Sequence, residues 1–134
     1  MNDRRSRVTL AFEVKSYDID FAGVVSNLVY VRWLEDLRLA LLATAMPLRE
    51  QVTAGFVPVV AETQIQYRRP IALWDCPVGH MWSVPIAGNR WRTEAEFWVD
   101  TVLVAHAVQD GCFVDLQTKR PILLPAAFHA WRNS

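Results

Sequence analysis

A carboxylate just ahead of a predicted helix is the feature of this sequence best suited to chemistry. Asp20 follows a predicted strand, Gly23 comes three residues later, and Ser26 and Asn27 open an apolar-periodic run. The first N–H groups of a helix have no partner within it, so they can stabilise an oxyanion that develops during acyl transfer. Asp20 beside them could activate water or attack the acyl carbon directly.

Other reactive motifs are missing from the sequence. His80, His106 and His129 have neither HxH nor HExxH spacing, so we expect no metal site. No G-x-S-x-G motif surrounds Ser26, which argues against a serine nucleophile. No glycine-rich phosphate loop occurs, and we expect no cofactor.

Length and composition indicate one domain spanning residues 1–134, with 52% hydrophobic residues to form a core. Fourteen basic and fourteen acidic residues balance, which argues against nucleic-acid or membrane-surface binding. No run approaches the roughly 18–20 apolar residues of a transmembrane helix. The basic N-terminus is interpreted as a charged tail, not a signal peptide. Cys76 and Cys112 form no CxxC motif, and a reduced, cytoplasmic setting fits them.

The periodicity predicts one strand, one long helix and about four further strands. The strands are expected over residues 8–16, 57–68, 77–86, 90–99 and 101–116, the last with a turn or bulge at Asp110–Gly111. The helix runs from about Asn27 to about Met46, and Pro47 begins its last turn or a new helix. A short terminal helix is expected from Pro125. Consecutive strands with short turns imply an antiparallel meander, hence an α+β domain whose five-stranded sheet wraps the helix.

Several polar residues have structural interpretations in this scheme. Asp18 is expected to serve a turn or an ion pair, and Glu35 to pair with Arg32 or Arg38 on the helix. His106 lies in an apolar strand and is expected to be a core histidine. Tyr30 and Trp33, at helical spacing, are more often core residues than walls of a substrate site.

The loop and helix together resemble the hotdog-fold acyl-CoA thioesterases of the 4-hydroxybenzoyl-CoA thioesterase type. That family's first loop typically reads D-x-D-x-x-G-[IVH]-V-x-x-x-x-Y, followed by R-[WYF]-x-E on the helix. The residues that fit this pattern are Asp18, Asp20, Gly23, Val25, Tyr30, Arg32, Trp33 and Glu35. Tyr67-Arg68-Arg69-Pro70 with Asp75, and Thr118-Lys119-Arg120-Pro121 before Leu124-Pro125, resemble two weaker family motifs.

The resemblance implies a fold, an activity and site residues. It implies a five-stranded antiparallel sheet around one long helix, and homodimers or homotetramers with active sites at subunit interfaces. The substrate would be an acyl-CoA or acyl-carrier-protein thioester, with Asp20 as the catalytic aspartate and backbone N–H groups around Ser26 and Asn27 as oxyanion donors. The residues expected to bind substrate are Gly23, Val25, Ser26, Tyr30, Tyr67 and Arg68.

Two other functions are compatible with the same fold. One is an acyl thioester hydratase or dehydratase, but those enzymes pair a histidine with an acid, and this loop has no histidine. The other is a non-catalytic acyl-CoA binding module, suggested by Val24, Ser26 and Val29 at positions that are often polar in the family.

Overall fold

The structure is a computed structural model that describes residues 6–132. Five strands form one sheet: β1 (Arg7–Ala11), β2 (Phe56–Tyr67), β3 (Val78–Ser83), β4 (Arg90–Val99) and β5 (Val102–Asp115). The helices are α1 (Asn27–Ala43) and α2 (Leu48–Ala54), and two 3-10 turns cover Ser16–Asp18 and Ala126–Trp131. None of the described helices has the length and apolar character needed to span a membrane.

The sheet is antiparallel throughout, with strand order β1-β3-β4-β5-β2. This confirms the predicted α+β class and the five-stranded sheet with one long helix. The prediction of a simple meander is wrong for β2, which lies at the edge beside β5 rather than next to β3. The connection of residues 68–77 is not a hairpin turn, because it carries the chain from that edge to a position three strands away.

Helix α1 packs its apolar stripe on one face of the sheet. Its buried residues follow helical spacing: Val29, Tyr30, Trp33, Leu34, Leu37, Leu41 and Leu42. The contact is close at Gly79 of β3, where a Cβ would lie 2.9 Å from Phe12, 3.0 Å from Leu37 and 3.1 Å from Phe97. Glycine at this position therefore lets helix and sheet approach, and the expectation that Tyr30 and Trp33 are core residues is confirmed.

Three predicted boundaries differ from the structure. β1 ends at Ala11 rather than at residue 16, because Ala11 pairs with Val78, the first residue of β3. The chain turns later, at Ser16–Asp18, where the Asp18 carboxylate accepts the Lys15 N–H. α1 ends at Ala43, and Pro47 caps the separate helix α2. β3 is shorter than predicted, and Pro77 and Pro85 lie outside it.

Of the turn or bulge expected at Asp110–Gly111, the turn does not occur, because β5 runs through both residues, and a bulge in the pairing of β5 with β2 lies opposite them. The irregularity lies on the paired strand instead, where the register of β2 shifts between Val60 and Glu62. A Cβ on Gly111 would collide with the Val59 carbonyl and the Trp91 ring. The glycine serves a close backbone approach beside a β-bulge, which gives the same sequence signal as a turn.

Candidate functional site

Asp20 lies in a short hairpin that leads directly into α1. The N–H of Asp20 donates to Val24 (2.9 Å), and the N–H of Ser26 donates to the carbonyl of Asp18 (2.8 Å). Between these bonds, Ile19 and Val25 form an antiparallel bridge. The hairpin therefore holds Asp20 by backbone bonds that do not depend on its side chain.

The tip of this hairpin depends on Gly23. Its N–H donates to the carbonyl of Asp20 (3.0 Å), and its φ of +81° lies in the left-handed region, which non-glycine residues rarely adopt. The Asp20 carboxylate is half-buried and accepts the N–H of Ala22 (2.8 Å). One carboxylate oxygen is thus oriented by the turn itself, as in an Asx-turn.

The start of α1 is capped and has a free donor. Ser26 is the N-cap, as predicted, because its hydroxyl accepts the Leu28 N–H (3.3 Å) and its carbonyl accepts the Val29 N–H (3.0 Å). Within the described chain, the N–H of Asn27 donates to no acceptor. Val25, 3% exposed, fixes the entry by donating its N–H to Ile71 (2.8 Å). The Asn27 N–H can therefore serve a ligand at the positive end of the helix dipole.

Two tyrosines stand beside this helix end in different environments. The Tyr67 hydroxyl, at the end of β2, donates to the Asn27 carbonyl at 3.4 Å, and Tyr67 is 43% exposed. Its ring packs edge-on against Tyr30 at 5.0 Å between centroids. Tyr30 is only 2% exposed, and burial raises its pKa to about 12. Tyr67 is therefore accessible to a ligand, whereas Tyr30 is a core side chain that supports it.

Exposed cations follow Tyr67. The N–H groups of Arg68 and Arg69 both donate to the Val104 carbonyl, at 2.9 and 3.1 Å, which fixes the backbone at this corner. The Arg68 guanidinium donates to Gln66 (3.3 Å). Neither arginine forms an ion pair with a carboxylate among the described residues. Their charge is available to an anionic ligand.

Two other arginines, Arg90 and Arg92, do not join them. Both lie on the face of the sheet away from α1 and bond the buried carboxylate of Asp110. His106 is on that face too and pairs with Glu94 at 2.7 Å, so the expectation of a core histidine is wrong. Its sequence neighbours are apolar, but its partner comes from the adjacent strand. Among described residues, no group of His, Cys, Asp or Glu could hold a metal ion.

A groove separates α1 from the edge strand β2. Val31, Glu35 and Arg38 line its helix side, and Val60, Thr63 and Gln109 its sheet side. The expected pair of Glu35 with Arg38 is present at 3.5 Å, whereas Arg32 pairs with Asp18 instead.

A hydrogen-bonded chain crosses this groove, and sequence analysis missed it. The Arg38 guanidinium donates to Gln109 (3.0 Å), and the Gln109 amide donates to Thr63 (3.0 Å). Burial lowers the pKa of Arg38. The only sequence signal was a lone glutamine inside the apolar strand 101–109.

The fold and the loop define the class of protein. A five-stranded antiparallel sheet packed on one long helix, with a carboxylate hairpin at the helix N-terminus, is the hotdog fold of thioesterase-like proteins. The chain belongs to the thioesterase-like superfamily, whose family model matches residues 14–132. No curated protein matches the sequence of this chain.

Three solved structures with the same fold are 17–18% identical in sequence to this chain. The first is a 4-hydroxybenzoyl-CoA thioesterase, an Asp-to-Asn variant complexed with 4-hydroxybenzoyl-CoA (TM-score 0.85, 17% identity, 94% of this chain and 99% of that one). The second is a DHNA-CoA thioesterase from Staphylococcus aureus (TM-score 0.82, 18% identity, 88% of this chain and 80% of that one). The third is a 1,4-dihydroxy-2-naphthoyl-CoA thioesterase from Synechocystis (TM-score 0.80, 18% identity, 91% of this chain and 92% of that one).

Proposed function

We propose that this protein hydrolyses an acyl-CoA thioester, with Asp20 and the N-terminus of α1 as its reaction centre. The observation that carries this proposal is a hairpin-held carboxylate that leads directly into a helix whose Asn27 N–H has no acceptor among the described residues. The family and the CoA thioesterases of the same fold support it. Those three act on aromatic acyl groups by name, so an aromatic acyl-CoA is the first substrate to test.

The thioester carbonyl would point at the Asn27 N–H, where developing negative charge meets a fixed donor. One such donor lowers the barrier by about 3–4 kcal/mol. Asp20 would act in one of two ways: it takes a proton from the attacking water, or it adds to the carbonyl to form a mixed anhydride that water then cleaves. In both routes the acyl carbon gains an oxygen from water, its bond to sulfur breaks, and the thiol leaves with a proton.

The surrounding residues fit a thioester-binding wall. Gly23, Val25 and Ser26 shape the loop and cap, and Tyr67, packed on the buried Tyr30, covers the helix end. Arg68 and Arg69, which form no ion pair with a described carboxylate, offer positive charge to the phosphates of CoA. An acyl-carrier-protein thioester is the other substrate that this wall would admit.

The site is proposed to lie at the interface of a homodimer or homotetramer. β2 is an edge strand whose outer side pairs with no described strand, and unpaired edges invite a second chain. Leu28 and Val31 are 75% and 46% exposed at helical spacing beside that edge. If a second copy of the chain packed against these apolar side chains and the β2 edge, it would close the groove between α1 and β2.

The test is the variant Asp20→Asn, which keeps the shape of the side chain but removes its charge. Thiol release from aromatic acyl-CoAs should be abolished, whereas calorimetric binding of the ester and cooperative unfolding should be retained. Asp36→Asn, at an exposed carboxylate of α1, is the matched control and should keep wild-type turnover. Sedimentation of the same samples should give a multiple of the 15.3 kDa chain mass.

The alternatives give different results in this experiment. Hydrolysis by Asp20→Asn at the wild-type rate would contradict the assignment of Asp20. Saturable binding by the wild type without thiol release would identify a binding module, and hydration of a 2-enoyl-CoA would identify a hydratase.

A further inference from the structure

Asp18 is a buried carboxylate that the proposed chemistry does not use. Its side chain is 6% exposed. It accepts the Lys15 N–H at 2.9 Å, and the Arg32 guanidinium of α1 lies 3.6 Å from its other oxygen. A charged group is buried in this way only when partners compensate its lost hydration. The carboxylate therefore ties the segment before the hairpin to the second turn of α1.

The backbone of Asp18 closes the base of the catalytic hairpin. Its carbonyl accepts the N–H of Ser26, the N-cap of α1, at 2.8 Å. Asp20 lies two residues after Asp18, and Asn27 directly follows Ser26. A displacement of Asp18 would therefore also move the proposed catalytic carboxylate of Asp20 and the proposed oxyanion donor, the Asn27 N–H.

The Asp18 carboxylate lies outside the reaction centre. It lines a groove between α1 and residues 11–18, together with Phe12, Tyr17 and Trp33, and Asp20 does not line this groove. Phe12 stacks on Trp33 at 5.0 Å between centroids, which makes the wall beside Asp18 rigid. In this arrangement Asp18 acts on the reaction through the groups that it holds.

We propose that Asp18 is a positioning residue: with Arg32 it anchors the Asp20 hairpin to α1 and sets the Asp20 carboxylate against the Asn27 N–H. This inference rests on the proposed hydrolysis of a thioester. Because a misplacement of about 1 Å at a reacting group costs on the order of a hundredfold in rate, partial release of the anchor should cost about tenfold.

The experiment compares Asp18→Asn with Arg32→Gln, which break the same pair from opposite sides. Asp18→Asn can still accept the Lys15 N–H, and Arg32 has a side chain that is 61% exposed, so Arg32→Gln should fold normally. Each variant should lower kcat about tenfold with KM within about twofold. The double variant should be no slower than either single variant, because both remove one interaction. Arg32→Lys should recover part of the rate.

The matched control is Glu13→Gln, which breaks the exposed pair of Glu13 with Lys15 (3.0 Å) on the same segment and should leave kcat unchanged. If Arg32→Gln keeps wild-type kcat, or if the two losses multiply, the inference is overturned. A loss of rate that only parallels a loss of folded protein in thermal unfolding also overturns it. An inactive Asp20→Asn beside a fully active Asp18→Asn rejects this inference alone, whereas a wild type without thiol release rejects the proposed function as well.

Discussion

Gly23→Ala tests whether the shape of the hairpin, rather than the mere presence of Asp20, sets the reaction centre. Gly23 has a φ of +81° and no atom within 4 Å of the position that a Cβ would take. Alanine therefore meets no steric clash, and its effect is confined to backbone conformation. An L-residue in the left-handed region costs roughly 1–2 kcal/mol. Reduced entropy of the unfolded chain returns about 0.4–1 kcal/mol, which leaves a net loss of roughly 1 kcal/mol.

A matched control exists in the same chain. Gly88, in the connection between β3 and β4, also has a φ of +81° and no atom within 4 Å of a Cβ. Gly88→Ala should lose the same stability, since the conformational cost is equal. For a chain of this size, each variant should melt about 4 °C below wild type. Melting is compared at one protein concentration, because association would shift it.

Activity should separate the two variants. In Gly23→Ala the hairpin can relieve its strain only by moving residues that flank Asp20, so kcat should fall about tenfold with little change in KM. Gly88→Ala should keep wild-type kcat in the same thiol-release assay. Equal kcat values for the two variants, with Gly23→Ala shown to be folded, would refute the view that hairpin geometry positions Asp20.

Two further predictions concern the neighbouring side chains. Burial raises the pKa of Tyr30 from 10.0 to about 12. As pH rises from about 10 to 12, the unfolded chain loses the Tyr30 proton before the folded chain does, so the free energy of unfolding should fall. Tyr30→Phe should make this fall with pH less steep in denaturant titrations. A slope unchanged in Tyr30→Phe would contradict this. Arg68→Ala should raise KM for an acyl-CoA roughly threefold but leave KM for an acyl-N-acetylcysteamine thioester, which has no phosphates, unchanged. Arg49→Ala, at an exposed arginine of α2, should change neither, and equal effects on both esters would exclude a phosphate contact.

The elements with strong local periodicity could be predicted from the sequence. β4 spans Arg90–Val99, as its alternation indicates, and Trp91 and Phe97 are fully buried on its inner face. α1 begins after the Ser26 cap because capping is decided by residues next to one another. In both the strand and the helix start, the residues that give the sequence pattern are the ones that determine the local structure.

The arrangement of these elements could not be predicted in the same way. The alternation that favours β1 continues to Val14, which is buried although it lies beyond the strand. Burial alone produces that pattern, so it does not fix where strand pairing ends. The position of β2 beside β5 likewise depends on long-range pairs such as Tyr67 with Ala105. Alternation indicates which face of a strand is buried, but it does not specify the neighbouring strand.

In the candidate site, the loop that carries Asp20 could be predicted from the sequence, but the contact that holds this loop against α1 could not. Asp20, Gly23 and the Ser26 cap lie within one short stretch, so sequence spacing nearly determines their geometry. Asp18 was correctly expected in a turn or an ion pair, but its link to Arg32 crosses from the hairpin to the helix. That link is a salt bridge with an exposed arginine, which is a weak kind of interaction. Its loss should cost little stability, so kinetics should detect the effect of Asp18→Asn before denaturation does.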